Sequence, residues 1–309
     1  MASDLLDRRF IAVIGKGGTG KTTVAASLAV LAASRGKRVL VAMTQARERM
    51  SAMLETEVIG ADVTNILPRI DAVNMDPETC LDEYGVMVLK VRALYKAVMD
   101  NRAVKGFLRA VPGMDAWAML GKALYHVKQK DETGAFAYDL VILDAPATGH
   151  GLQMLRVPQV IAGVAPAGLL RREADEGIAI LRDPKRSGAV VVTLAEEMPT
   201  AETEELVASL QNDVRMPLAR LVINNVLTPV FSKIPLGQTE AAAALLGRSD
   251  ALAAIARAGV ARAHREDLQR RMIERLARLP GQKVILPSLA VERVKRTDIE
   301  LLAKGLGAV

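Results

Sequence analysis

Residues 15–22 read Gly15-Lys16-Gly17-Gly18-Thr19-Gly20-Lys21-Thr22, meeting the spacing G-x-x-x-x-G-K-[ST] at every fixed position. That spacing builds a cradle for phosphates. Glycines at 15, 17, 18 and 20 let backbone N–H groups turn inward where side chains would clash. A helix starting near Lys21 would point the positive end of its dipole at the same anion. Lys21 supplies a cation to the β- and γ-phosphates, and the Thr22 hydroxyl is placed to ligate magnesium. Gly15–Thr23 is therefore expected to hold ATP with Mg2+. The alternative is a glycine-rich turn without a ligand, which explains neither the Lys-Thr pair nor both flanks.

A second carboxylate for the metal is expected at the end of a neighbouring strand. Leu140-Val-Ile-Leu-Asp144 supplies one: an apolar run closing on an acid, followed by Ala145-Pro-Ala-Thr-Gly-His150. A strand-end aspartate also serves as a helix cap, so it gains meaning only beside the phosphate loop. His150, after the flexible Gly149, suits a loop that responds to the γ-phosphate or an ordinary surface loop.

The elements that must position these residues follow from periodicity. Phe10–Ile14 is a short apolar run ending at Gly15, as in a buried parallel strand. Lys21–Ser34 is Ala- and Leu-rich and stops at Arg35-Gly36, with glycine as the C-terminal cap. Arg38–Met43 is a second buried strand, completing a βαβ unit. Further strands are expected at Ala72–Met75, Leu140–Leu143, Ala189–Thr193, Leu221–Asn224 and Lys283–Leu286. The pattern predicts an α/β fold, a doubly wound, mostly parallel sheet of the P-loop NTPase type. One domain over 1–309 is expected, with a helical insertion at about 77–130 on one edge of the sheet. A second helical segment at about 238–279 reads as a solvated pair broken at Gly247 and Gly259.

Composition limits the alternatives. Half of the 309 residues are hydrophobic and only 3% aromatic, so the core rests on aliphatic side chains. Few rings also argue against single-stranded nucleic acid as a ligand. A net charge of +6, from 41 basic and 35 acidic residues, suits nucleotides without implying nucleic-acid binding. The lone Cys80 excludes an intrachain disulfide and any multi-cysteine metal site. With no signal peptide and no apolar run near the ~18 residues that span a bilayer, a cytosolic protein is expected.

Lys16 stands five positions before Lys21, giving K-G-G-x-G-K-[ST], the deviant P-loop of the class that includes ArsA, MinD and the nitrogenase iron protein. Within that class the chain resembles the ArsA-type ATPases, the fold of the arsenite-pump ATPase and the tail-anchored-protein targeting factor. Asp144-Ala-Pro-Ala-Thr-Gly-His150 is similar to that family's D-x-A-P-T-G-H. Val192-Thr-Leu-Ala-Glu-Glu-Met-Pro199 with Glu202-Thr203 resembles V-T-x-P-E-x-x-x-x-x-E-T, and Met75-Asp76-Pro77 resembles I-D-P. The resemblance implies a dimer in which Lys16 reaches the partner's nucleotide. It also implies adenine recognition by Asn224, from Ile223-Asn224-Asn225, and closure over the base by Pro287. The organisation most resembles bacterial subunits that occur as paralogous pairs, so a homodimer and a heterodimer are both open.

Three departures stand out. Where the family has S-T-D-P-A-H-S, this chain has Met43-Thr44-Gln45-Ala46-Arg47-Glu48-Arg49. The water-orienting aspartate position carries Gln45, which can orient water but is no general base, so slow or absent hydrolysis is expected. Glu48 is either a substitute or an exposed helix residue. The arsenite-binding cysteines and the zinc-binding C-x-x-C pair are also missing. Residues 84–125 mix methionine, tyrosine and leucine with basic side chains, and read either as packing or as a groove for a client's hydrophobic helix. The leading expectation is a dimeric ATP-driven switch. A catalytically weak subunit of a heterodimer comes next, and a MinD-like partitioning ATPase comes last, because 301–309 is no basic amphipathic anchor.

Overall fold

The computed structural model describes residues 5–44, 48–102, 113–147, 149–231, 234, 236–246 and 250–307. Its strands are β1 (Phe10–Ile14), β2 (Val39–Thr44), β3 (Thr64–Leu67), β4 (Ile70–Met75), β5 (Leu140–Asp144), β6 (Ser187–Leu194), β7 (Leu218–Val226) and β8 (Gln282–Pro287). They form one eight-stranded sheet in the order β3-β4-β2-β5-β1-β6-β7-β8. Every pairing is parallel except β3 with β4. β1, β2 and β5 are buried at every position, which explains their unbroken apolar sequences: helices cover both faces.

On one face lie α1 (Lys21–Ser34), the short α2 (Met50–Leu54) and the last described helix, Arg296–Gly307. Val24, Leu28, Ile299, Leu302 and Leu306 interlock there with Ile11, Val13 and Val41. α1 closes as expected: Gly36 takes φ 84°, and the N–H groups of Gly36 and Lys37 return to the carbonyls of Ala33 and Ala32.

The other face carries α3 (Pro77–Leu89), with α4 (Arg92–Asp100) against it, then α5 (Met114–Lys128), α6 (Gly149–Val164), α7 (Leu169–Arg182) and α8 (Glu197–Ser209). After α9 (Leu236–Leu246) the long α10 (Asp250–Leu276) returns to the same face, and Arg296–Gly307 is α11. Asp76 caps α3 by accepting the Thr79 N–H at 3.2 Å, with Pro77 in the first helical turn.

Three expectations need correction. β3 has no counterpart among the expected strands, because its Thr-Asn-Ile-Leu sequence is short, half polar and solvent-facing. The helices of 77–130 are not confined to a sheet edge. Leu120, Ala123 and Val127 of α5 pack on Phe10, Leu40, Val141 and Leu143 of the central strands, so α5 is the crossover cover between β4 and β5. Gly259 does not break a helix: it lies inside the continuous α10, and Gly247 falls outside the described residues. Tyr84, Met114 and Trp117 form a satellite cluster with Val157 and Ile161 of α6 and Ala174 of α7.

Candidate phosphate-binding site

Sheet register brings the site together. Asp144, at the end of β5, lies level with Val13 of β1 and Met43 of β2, and Met43 lies level with Asn74 of β4. The C-terminal ends of four strands therefore meet beside the loop that leaves β1. This is the crevice where parallel α/β sheets bind ligands, at the strand from which the chain winds outward in both directions.

The loop itself demands glycine. A Cβ on Gly15, which has φ 151°, would fall 2.1 Å from the Val192 carbonyl oxygen on β6. Gly20 has φ 91° and its Cβ would fall 2.3 Å from Asn224 Nδ2. Gly18, at φ 82°, and Gly17 are exposed. The Lys16 carbonyl gathers the loop, accepting from Thr19 Oγ1 at 2.9 Å and Lys21 Nζ at 3.1 Å. No side chain caps α1 at Gly20, so its first N–H groups remain available to an anion.

Lys21 and Asp144 are both buried, and the Thr22 hydroxyl donates to Asp144 Oδ2 at 2.6 Å. Burial raises the Asp144 pKa to about 6, against the opposing Thr22 hydrogen bond and the Lys21 charge. Burial likewise lowers the pKa of Lys21, with Asp144 opposing. Asp144 Oδ1 has no hydrogen-bond partner among the described residues. A threonine hydroxyl, a carboxylate and an unclaimed carboxylate oxygen are hard oxygen donors of the kind magnesium takes, so the residues present fit that ion. Above them opens a cavity of about 310 Å³, lined by Gly17, Gly18, Lys21, Thr22, Thr44 and Asp144 and by the segment Ala145–Ala147.

Other expected residues are distributed around this centre. Lys16 turns to its own chain, pairing with Glu202 Oε1 at 2.5 Å and approaching Met198 Sδ at 2.9 Å on α8. Asn224 Nδ2 donates to the Thr19 carbonyl at 2.9 Å, bracing β7 against the loop. Pro287 ends β8, exposed and level with Val226. The Thr23 hydroxyl faces Met53 Sδ at 3.7 Å and does not line the cavity. His150 is exposed at the start of α6. Gln45 and Thr148 lie outside the described residues.

Glu48 lines the cavity, but its carboxylate is committed: it accepts from Ser51 N at 2.7 Å and Ser51 Oγ at 2.5 Å, capping α2. Asn74 and Arg49 also line the cavity, and neither is anticipated as a site residue by the sequence reading. The signal for Asn74 was its place at the end of a strand, where a polar residue interrupts an apolar run. Its Oδ1 is buried without a partner among the described residues.

A parallel sheet with β1 at the winding reversal, a glycine loop into α1 and the Thr22–Asp144 pair define a P-loop nucleotide-binding protein of the α/β class. The sequence profile of the anion-transporting ATPases matches residues 8–165, just over half of the chain. The chain belongs to that family. The ATPase BagA of Mycobacterium tuberculosis is 27% identical over 217 residues, covering 69% of this chain and 63% of that protein. A putative arsenical pump-driving ATPase of Halobacterium salinarum is 30% identical over 238 residues, covering 72% and 36%. The ATPase GET3 of Kluyveromyces lactis is 26% identical over 162 residues, covering 50% and 46%. The match thus spans less than two thirds of each relative's length. Asn224 and Pro287 lie beyond the residues matched by the family profile. Among the described residues, no helix is long and apolar enough to cross a membrane.

Proposed function

We propose that this chain binds ATP with magnesium at Gly15–Thr23 and couples its nucleotide state to association with a second subunit. The observation that carries the reading is the Thr22–Asp144 pair at the base of the glycine-loop cavity, with Asp144 Oδ1 unclaimed. The loop N–H groups and Lys21 bind the phosphates, while Thr22 and Asp144 hold the metal, Asp144 through its water shell. Magnesium, when bound, neutralises charge on the terminal phosphates. Asn224 and Pro287 frame the base, on the side of the sheet carrying β7 and β8. One sheet running from Phe10 to Pro287 supports reading the chain as a single ATPase domain.

Hydrolysis is proposed to be slow. Gln45 offers an amide where the resemblance calls for a carboxylate, and the Glu48 carboxylate is engaged by Ser51. The same two observations favour a second reading, a nucleotide-holding subunit whose catalytic loop comes from a paralogue. A partitioning role at a membrane has less support, because the apolar side of α11 (Ile299, Leu302, Leu306) is buried in the core. Client binding by 77–130 draws little support from Tyr84, Met114, Trp117 and Met119, all buried in helix packing.

ATP turnover by the purified chain, with Lys21→Ala as blank, tests the proposal. Turnover lost in the variant establishes a self-sufficient ATPase. Tight binding without turnover selects the second reading, and no binding by the wild type rejects both.

A further inference from the structure

Arg49 is an exposed cation on the wall of the phosphate cavity, and no carboxylate among the described residues forms an ion pair with it. The obvious neutralising group, its neighbour Glu48, is occupied by the Ser51 N–H and hydroxyl. Those same hydrogen bonds, with the Met53 N–H bonded to the Arg49 carbonyl at 3.2 Å, anchor the backbone of Arg49 at the start of α2. A guanidinium on a fixed backbone beside an anion cradle is preorganised for phosphate, which its planar fork matches.

Strand order decides which phosphate it would meet. Asn224 lies near the C-terminal end of β7 and Pro287 ends β8, the glycine loop follows β1, and Arg49 follows β2. In the sheet, β1 stands between β7 and β2. A nucleotide with its base toward β7 and β8 and its inner phosphates in the β1 loop extends its outermost phosphate toward β5 and β2. On that side lie Asp144 and Arg49.

We infer that Arg49 binds the terminal phosphate of a nucleoside triphosphate and so makes the site discriminate triphosphate from diphosphate. The inference rests on the nucleotide reading above and adds a residue to it. With Lys21 buried on one side and Arg49 exposed on the other, the outermost phosphate is held between two cations. Its loss on hydrolysis removes the only ligand group that Arg49 reaches.

The test is isothermal titration of the 309-residue chain, with magnesium, using ADP and a non-hydrolysable ATP analogue. Arg49→Ala is expected to weaken analogue binding about tenfold and ADP binding less than twofold, which is about 1.4 kcal/mol confined to the triphosphate. Arg49→Lys is expected to recover part of the loss, and unchanged thermal melting of both apo variants checks folding. Equal weakening of both ligands, or of neither, overturns the role of Arg49 and leaves the nucleotide reading intact. Failure of the wild type to bind either nucleotide overturns both. Lys21→Ala separates the two, since Lys21 also meets the β-phosphate and its loss is expected to weaken ADP as well as the analogue.

Discussion

Asp144 is costly to keep charged before a cation arrives. It is buried beside Thr22 and Lys21, and its raised pKa reports that desolvation outweighs its two favourable neighbours. Asp144→Asn is expected to weaken nucleotide affinity at least tenfold in magnesium and to change it little in EDTA, as read by titration. The apo variant should melt no lower than the wild type at pH 8, because the buried charge is gone. A second buried group lies on α5. His126 bonds Gln129 Oε1 through Nδ1 at 2.7 Å and meets the rings of Tyr125 and Tyr138 edge-on. Burial lowers its pKa below 6.5, with Lys122 adding to the shift and Gln129 opposing it. The unfolded chain therefore takes up a proton near pH 6.5 that the folded chain accepts only at lower pH. Stability falls as pH falls through that window. The drop in melting temperature between pH 7 and pH 5 should be smaller in His126→Gln than in the wild type.

At the level of elements, the loop is held by contacts from three strands. β1 feeds it, Val192 on β6 walls in Gly15, and Asn224 on β7 binds the Thr19 carbonyl against Gly20. Gly20→Ala meets two separate penalties. Its Cβ strikes Asn224 Nδ2, and a left-handed backbone costs a residue with a Cβ about 1–2 kcal/mol. Denaturant unfolding should give a total loss of about 2–4 kcal/mol. Adding Asn224→Ala should recover the steric part and leave the backbone part, so the two substitutions should be non-additive. Additivity would show that Asn224 does not press on the loop.

For the whole molecule, the expected event is pairing. Lys16 is tied to Glu202 of its own α8 and must leave that ion pair to reach a partner's nucleotide. Both side chains are only partly exposed, and an ion pair of this kind is worth about 1 kcal/mol or less, so release is cheap. Sedimentation should give a monomer without ligand and twice that mass with ATP and magnesium. Lys16→Ala should abolish the ligand-dependent doubling without abolishing nucleotide binding. A mass that stays at one chain in every condition would leave the heterodimer as the pairing to test.

The sequence by itself determined the parts of this protein that local chemistry constrains. The phosphate loop is legible because its turn needs glycine at set positions. Seven strands are legible as short apolar runs, purest in β1, β2 and β5, which are buried at every position, and interrupted by polar residues in β4, β7 and β8. Only the tertiary structure decided what depends on distant neighbours. β3 pairs at the edge through backbone hydrogen bonds that leave little mark on its sequence. α10 runs through Gly259 as one continuous helix. α5 covers central strands because its apolar stripe fits the space between α3 and α6, which periodicity does not locate. Asn74 joins the phosphate cavity through sheet register and Arg49 through the start of α2, where Glu48 also lines the cavity but has its carboxylate committed to Ser51. A motif fixes what a segment can do to its own backbone. Which side chains face the same ligand is settled by which strands lie side by side.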